Sequence, residues 1–323
     1  MKTGILRGCL RVYLSANRRI WVRLPAFLRL RSPGRAYGRH LHAMVCLHAE
    51  RKQNHSTFFL RNRPELELMC SLLEQKAHGS SMDITVLACS KGAEVYSILW
   101  AIRSARPDLR VSTRAVDISL EILEFARNGA YSLRRPDISI AADREAAAKA
   151  DKLTWNTYRD QGAHQDVSIF ERMTDQEAEA MFDREGDQAK VKSWLKQGIT
   201  WHTGDAGDPE LVRILGPQDL VVANRFLCHM NPEAAEKCLR NLARLVKPGG
   251  YLFVSGIDLD VRTRVARSLG WRPVPDLMRE VHEGDVSLKN GWPLEWWGLE
   301  PFCHDLPDWR IRYASAFQLG TTT

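Results

Sequence analysis

Between Asp83 and Gly129 the chain alternates strand-like and helix-like segments, and this alternation constrains the fold more than any other feature. Asp83 to Ser90 is an apolar run of strand length, broken by Lys91-Gly92-Ala93. From Glu94 to Arg103, Val95, Ile98, Leu99 and Ile102 fall on one helical face. Pro107 and Asp108 mark a loop, and Arg110 to Val116 reads as a second strand ending in Asp117. Ile118 to Asn128 is a further helix, stopped by Gly129. Strands separated by helices build a parallel sheet with helices on its faces, so an α/β fold is expected. The pattern resumes with a strand at Asp219–Ala223. A helix over Pro232–Val246 follows, then a break at Pro248-Gly249-Gly250 and a strand at Tyr251–Ser255. An amphipathic helix over Pro64–Ala77 precedes the block. Near the end, Trp309, Ile311 and Tyr313 alternate with Arg310 and Arg312, which predicts a half-buried antiparallel strand. The polar, Ala-rich stretch of about 131–198 interrupts the alternation and reads as a mainly helical insertion, with helices at Ala141–Leu153, Asp175–Arg184 and Ala189–Gln197.

Charge divides the chain. Its net charge is +7, yet residues 1–63 hold fourteen Lys or Arg and a single acid, Glu50. The remainder is mildly acidic. Residues 1–54 are therefore expected to be a basic extension, largely solvated with one docking helix, and residues 55–323 the main domain. Such an extension suits RNA, an anionic membrane face or an acidic partner, or serves as a targeting peptide. No apolar run is long enough to span a membrane. The seven cysteines are odd in number and form no C-x-x-C pair. They read as reduced thiols of a cytoplasmic protein, without a structural metal.

In an open α/β sheet, ligands bind at the carboxyl ends of the strands. Three features fall there: Ala88-Cys-Ser-Lys-Gly-Ala-Glu94, whose small residues and following helix start let a ligand approach the backbone; Asp117, suited to ribose hydroxyls; and Asp205, in Thr203-Gly-Asp-Ala-Gly-Asp208, suited to an adenine edge. A dinucleotide site wants G-x-G-x-x-G to seat a pyrophosphate. Here one Gly is present, and Glu94 would repel phosphates. It suits a cationic cofactor bearing an amino group, which favours S-adenosylmethionine (SAM) over NAD. Singly, Gly92 reads equally well as a turn glycine and Asp117 as a helix cap.

These residues carry a family resemblance. Thr57-Phe-Phe-Leu-Arg61 resembles the T-x-F-F-R segment of the CheR chemotaxis methyltransferases, and Cys89-Ser-Lys-Gly-Ala-Glu-Val-Tyr-Ser97 is similar to their A-S-T-G-E-E-P-Y-S. Ala115 to Ser119 resembles S-D-I-D, Phe125 to Tyr131 resembles K-A-R-x-G-x-Y, Met173 to Phe182 resembles L-S-x-x-x-L-x-x-Y-F, and Leu245 to Gly250 resembles L-L-K-P-G-G. The resemblance runs from about Thr57 to Ser255. It implies a class I SAM-methyltransferase (Rossmann-like) sheet with a small β-subdomain and protein-glutamate O-methylation. It implies cofactor roles for Thr57, Arg61, Glu94 and Asp117. Arg61 would neighbour the methionine part, Glu94 would hold the amino group and Asp117 the ribose. Asp205 and Ala206 would sit by the adenine, where the family has Asn-Leu. Asn224 and Arg225 fall where it has Arg-Asn. The product would be S-adenosylhomocysteine (SAH), with no metal.

The departures lie on the acceptor side: His229 replaces a family tyrosine, the 131–173 stretch is long, and Trp292, Trp296, Trp297 and Trp309 have no counterpart. Arg61 and His229 are the candidate catalytic residues. A carboxylate acceptor needs no base, whereas a hydroxyl would be helped by His229. The expectation is methyl transfer to a carboxylate or hydroxyl of a protein or small molecule. The alternatives are a sugar or small-molecule O-methyltransferase using His229, and a catalytically silent SAM fold that binds RNA or protein. The absence of a D/N-P-P-Y segment argues against nucleic-acid bases as acceptors.

Overall fold

The computed structural model describes residues 2–49, 51, 57–133 and 168–320. The chain opens with α1 (Lys2–Arg23), α2 (Ala26–Leu30) and α3 (Ser32–His48), followed by α4 (Arg63–Leu73). The expected alternation then appears as β1 (Ser81–Leu87), α5 (Ala93–Ala105), β2 (Arg110–Asp117) and α6 (Leu120–Asn128). A small unit follows: β3 (Ala130–Ser132), α7 (Asp175–Met181), β4 (Phe182–Glu185), β5 (Gln188–Val191) and α8 (Ser193–Lys196). The α/β pattern resumes with β6 (Ile199–Thr203), α9 (Pro209–Leu215), β7 (Gln218–Asn224), a 3-10 turn (Leu227–His229), α10 (Pro232–Ala243), β8 (Val246–Ser255) and α11 (Leu259–Ser268). The last elements are β9 (Arg272–Pro273), α12 (Met278–Glu283), α13 (Val286–Gly291), α14 (Trp309–Tyr313) and β10 (Ala316–Gln318).

Seven strands form one sheet in the order β6-β2-β1-β7-β8-β10-β9. The first five run parallel, and β10 is antiparallel to β8 and β9. Strand side chains alternate between faces. Ile84, Val86, Leu220, Val222 and Phe253 pack against α4 and α5, while Leu87, Val221, Ala223, Leu252 and Val254 pack against α10 and α11. This is the class I methyltransferase architecture, with helices on both faces of a mixed sheet.

Three expectations require correction. Within the 131–198 stretch, Ala141–Leu153 lies outside the described residues, and the described part is not mainly helical. Only Asp175–Met181 and Ser193–Lys196 are helices. Phe182–Glu185 and Gln188–Val191 form an antiparallel hairpin, and β3 joins it. Gly186, at φ 59°, supplies the left-handed turn that a two-residue hairpin needs. The expected strand over Trp309–Tyr313 is a helix, because positions 309 and 313 lie one turn apart and the chain's final strand begins at Ala316.

The third correction concerns the leader, which is not a solvated tail. Its helices fold back on one another and dock on the C-terminal region through Trp21, Leu41 and Trp292, all buried. Trp21 meets Trp292 edge-on, with ring centroids 5.3 Å apart. Arg35 donates to the carbonyls of Pro301 (2.9 Å) and Phe302 (3.2 Å), and Arg39 pairs with Glu300 at 3.2 Å. Arg51 donates to the carbonyls of Cys228 (3.1 Å) and Met230 (2.7 Å) and pairs with Asp258 at 3.2 Å.

Gly38 in α3 is where this docking is tightest. A Cβ there would lie 2.3 Å from Trp292 Cη2 and 2.9 Å from Trp21 Cη2. Gly→Ala inside a helix ordinarily stabilises by about 1 kcal/mol. Here the sign reverses: Gly38→Ala is expected to destabilise by about 1–3 kcal/mol through overpacking. A urea midpoint that rose with this substitution would show that the leader does not seat on Trp292.

Candidate functional site

The strand order reverses between β1 and β7, so their carboxyl ends flank the crevice where α/β folds hold ligands. A cavity opens there, lined among others by Thr57, Arg61, Glu65, Glu94, Asn224 and Arg225.

The loop after β1 is backbone under constraint. Ala88 and Ser90 both have φ 50° and Gly92 has φ 83°. Each left-handed non-Gly residue costs on the order of 1–3 kcal/mol and persists only when its surroundings hold it. They do so here. The Cys89 N–H donates to the Val116 carbonyl at 2.9 Å, and the Ser90 N–H to Asp117 Oδ2 at 2.8 Å. Tyr131 Oη donates to the Lys91 carbonyl at 2.6 Å. Asp117 is buried, and its Oδ1 accepts from the Ser119 N–H at 3.1 Å. The helix cap itself is Ser119, whose Oγ accepts from the Ile122 N–H. Asp117 therefore fastens the β1 loop to the end of β2 rather than capping α6.

Asn224, the last residue of β7, joins two acids. Its Nδ2 donates to Glu65 Oε1 at 3.0 Å and to Glu94 Oε1 at 2.9 Å. Its Oδ1 accepts from Ser255 Oγ at 2.8 Å, which fixes the amide's orientation from β8. Glu65 is 6% exposed. Burial, with Glu94 adding repulsion, pushes its carboxyl up to about 8. Burial also raises Glu94, opposed by the Asn224 hydrogen bond and by Arg61 and Arg225.

Arg61 and Arg225 share the cavity wall with the acids, and Arg172 supports them from outside it. Burial, helped by Arg225, lowers Arg61 to about 10, so it remains a cation at neutral pH. Arg61 and Arg172 both lie over the Phe58 ring, at 5.5 and 4.9 Å from its centroid. Arg172 Nη1 donates to the Arg61 carbonyl at 2.6 Å, and its Nη2 pairs with Asp285 at 3.0 Å. Arg225 pairs with the other Asp285 oxygen at 2.8 Å. Its own φ is 65°, and Gly256 makes room: a Cβ at 256 would sit 2.7 Å from Arg225 Cα. Asn62 Oδ1, on the cavity wall, is buried without a hydrogen-bond partner among the described residues. An orphaned acceptor beside paired acids and cations fits a polar, zwitterionic ligand.

Thr57, Arg61, Glu94, Asn224 and Arg225 thus meet around one cavity, with Asp117 behind Ser90. Asp205 and Ala206 lie in the loop after β6, outside the cavity wall. That loop is tied to Asp117 by the Gly204 N–H donating to its carbonyl at 3.0 Å, and Asp205 Oδ1 accepts from the Gly207 N–H at 2.8 Å. His229 ends the 3-10 turn, its ring edge-on to Trp296 at 5.0 Å, and does not line the cavity. Sequence reasoning missed Glu65, Arg172 and Asp285. Glu65 left a signal: it lies three and four residues before Leu68 and Met69, an acid on the buried stripe of a helix. Asp285 left none, being more than 200 positions from the first site residues.

The raised Glu65 carboxyl has a consequence for stability. Its folded value of about 8 exceeds the ordinary 4.5, so the fold binds this proton more tightly than the unfolded chain does. The associated stability is complete below pH 4.5 and is lost as pH rises towards 8. Relative to Glu65→Gln, the wild type is expected to weaken over that window by at most about 1.4 kcal/mol per pH unit. Urea unfolding at pH 5 and pH 8 measures this; a pH-independent difference would refute it.

Residues 54–152 match the CheR methyltransferase, SAM binding domain, and residues 175–254 match a methyltransferase domain. The chain is 24% identical over 212 residues to a chemotaxis protein methyltransferase of Vibrio parahaemolyticus, and equally so to chemotaxis protein methyltransferase 1 of Vibrio cholerae. Each alignment covers 64% of this chain and 64% of the relative, so the chain spans somewhat less than two thirds of the length of these curated relatives. Among solved structures, the N-methyltransferase NodS of Bradyrhizobium japonicum in complex with SAH aligns at 13% identity and a TM-score of 0.35, over 70% of this chain and 84% of that one. The two matched domains, in this order along the sequence, mark the chain as a SAM-dependent methyltransferase whose first matched part is similar to the CheR SAM-binding domain.

Proposed function

We propose that the chain transfers the methyl group of SAM to a carboxylate oxygen, on a protein or a small molecule. The observation that carries this reading is the pairing, in one cavity, of the acids Glu65 and Glu94 with the cations Arg61 and Arg225. When bound, SAM supplies a methyl group activated by its sulfonium. Glu94, oriented by Asn224, would hold its methionine end, Thr57 and Arg61 would flank it, and Asp117 with the loop of Asp205 and Ala206 would take the nucleoside.

The remaining chemistry is positional. An ionised carboxylate has no proton to lose, so the protein has only to align it and exclude water. Planar guanidinium groups suit that task, since they match a carboxylate in geometry and charge. Phe58 and the Arg172–Asp285 pair keep Arg61 and Arg225 in place. The exposed Arg18, Arg19, Arg23 and Arg31 of the leader favour an acidic partner. The described cysteines are free thiols, in keeping with a cytoplasmic setting, and among the described residues no helix is long and apolar enough to cross a membrane.

A second reading places a hydroxyl acceptor against His229. The edge-on series His229–Trp296–Trp297, with centroids 5.0 and 5.3 Å apart, favours it, because such rings suit a sugar or cyclic substrate.

Two measurements separate these readings. Incubating a cell lysate with the enzyme and methyl-labelled SAM is expected to yield label that mild alkali releases as methanol, as carboxyl esters require. Alkali-stable label would overturn the carboxylate reading. His229→Ala is expected to leave turnover within about threefold of wild type, because no base is needed. A loss of about 100-fold or more with SAM affinity unchanged would make His229 the base and favour the hydroxyl.

A further inference from the structure

We propose that Glu65 and Glu94, joined by the Asn224 amide, form a two-carboxylate seat for the cofactor's α-ammonium group, and that Glu65 releases a proton as that group enters. The inference rests on the SAM reading above and adds to it a residue and a proton.

The geometry is specific. Both N–H bonds of Asn224 Nδ2 are spent, one on Oε1 of each acid. The amide cannot turn over, because Ser255 Oγ donates to its oxygen. Two carboxyl groups are thereby drawn to one donor on the wall of one cavity. No hydrogen bond among the described residues reaches the Oε2 atom of either acid, and Glu65 is more than nine-tenths buried. An ammonium group has three N–H donors and one positive charge, which is what two carboxylate oxygens facing a cavity can take.

Charge decides what happens to the proton. The groups facing Glu65 are Glu94 from α5, Asp285 from the segment before α13, and Arg61 from the loop before α4. Three other titratable groups share the cavity wall: Arg225, paired with Asp285, and Cys89 and His282. Cys89 stays a thiol because burial raises it, and His282 stays neutral because burial lowers it to about 3. Without a cation between them, the buried Glu65 carboxyl and the neighbouring Glu94 carboxylate repel, and Glu65 keeps its proton at neutral pH. A cation placed between them favours both ionised forms. The Glu65 O–H bond then breaks, its electron pair stays on the carboxylate, and the proton passes to solvent.

The test is titration calorimetry of the full chain with SAH at pH 6.5, in two buffers of different ionisation enthalpy. SAH carries the amino group; 5′-methylthioadenosine lacks the amino-acid part. Wild type is expected to release close to one proton per SAH and essentially none with 5′-methylthioadenosine. Glu65→Gln is expected to cut the SAH release to roughly a fifth or less while still binding. SAH binding without proton release overturns the proposal, as does equal release from Glu65→Gln or from 5′-methylthioadenosine. Should the variant fail to fold, the two wild-type titrations still decide. If wild type binds neither SAH nor SAM, the SAM reading itself falls and takes this inference with it.

Discussion

The side-chain amide of Asn224 is the contact on which the rest of the site depends. It ends β7 at the point where the sheet order reverses, and it ties together α4, α5 and β8 through Glu65, Glu94 and Ser255. Its worth lies less in any one hydrogen bond than in what its loss would leave behind. The buried Glu65 carboxyl would be left facing Glu94 without that donor, and an unsatisfied buried polar group costs about 1–3 kcal/mol, more if charged.

A second set of constraints supports the loop after β1. The small sheet β3-β5-β4 is not an ornament on the main fold. Its residues Tyr131 and Phe182 pack edge-on with Phe59 and Phe170, and Tyr131 then reaches back to the Lys91 carbonyl. The left-handed turns at Ala88 and Ser90 are thus braced from one side by an aromatic cluster and from the other by Asp117. A loop with this geometry is pre-shaped, so less ordering is required when a ligand arrives.

The central sheet and the helices around it were legible because their apolar periods are long and regular; β1, α5, β2, α6, β7 and α10 fall within a few residues of where the sequence puts them. Of the candidate cofactor residues, Glu94, Asp117 and Asp205 could be read from their places after strand ends, whereas Thr57, Arg61, Asn224 and Arg225 were reached only through the family resemblance. Short elements were not. Five residues from Trp309 fit either an alternating strand or one helical turn, and tertiary packing decides between them. The hairpin around Gly186 was hidden by helix-forming Ala and Glu. The leader's fold was illegible because its partner, Trp292, lies some 270 positions away, and the roles of Asp285 and Arg172 were out of reach for the same reason. Glu65 was the exception, a readable anomaly on an apolar stripe.

Arg51 gives the leader a meaning beyond anchorage. It grips the carbonyls of Cys228 and Met230, which bracket His229, and it also holds Asp258 at the start of α11. The leader and the turn carrying His229 are therefore joined through the Arg51 guanidinium. Linkage is reciprocal. Whatever free energy a molecule seated at that turn invests in moving it must reappear as a change in the leader's hold on the body. Anything that displaced the leader would likewise displace the turn, so that the two share one mechanical joint.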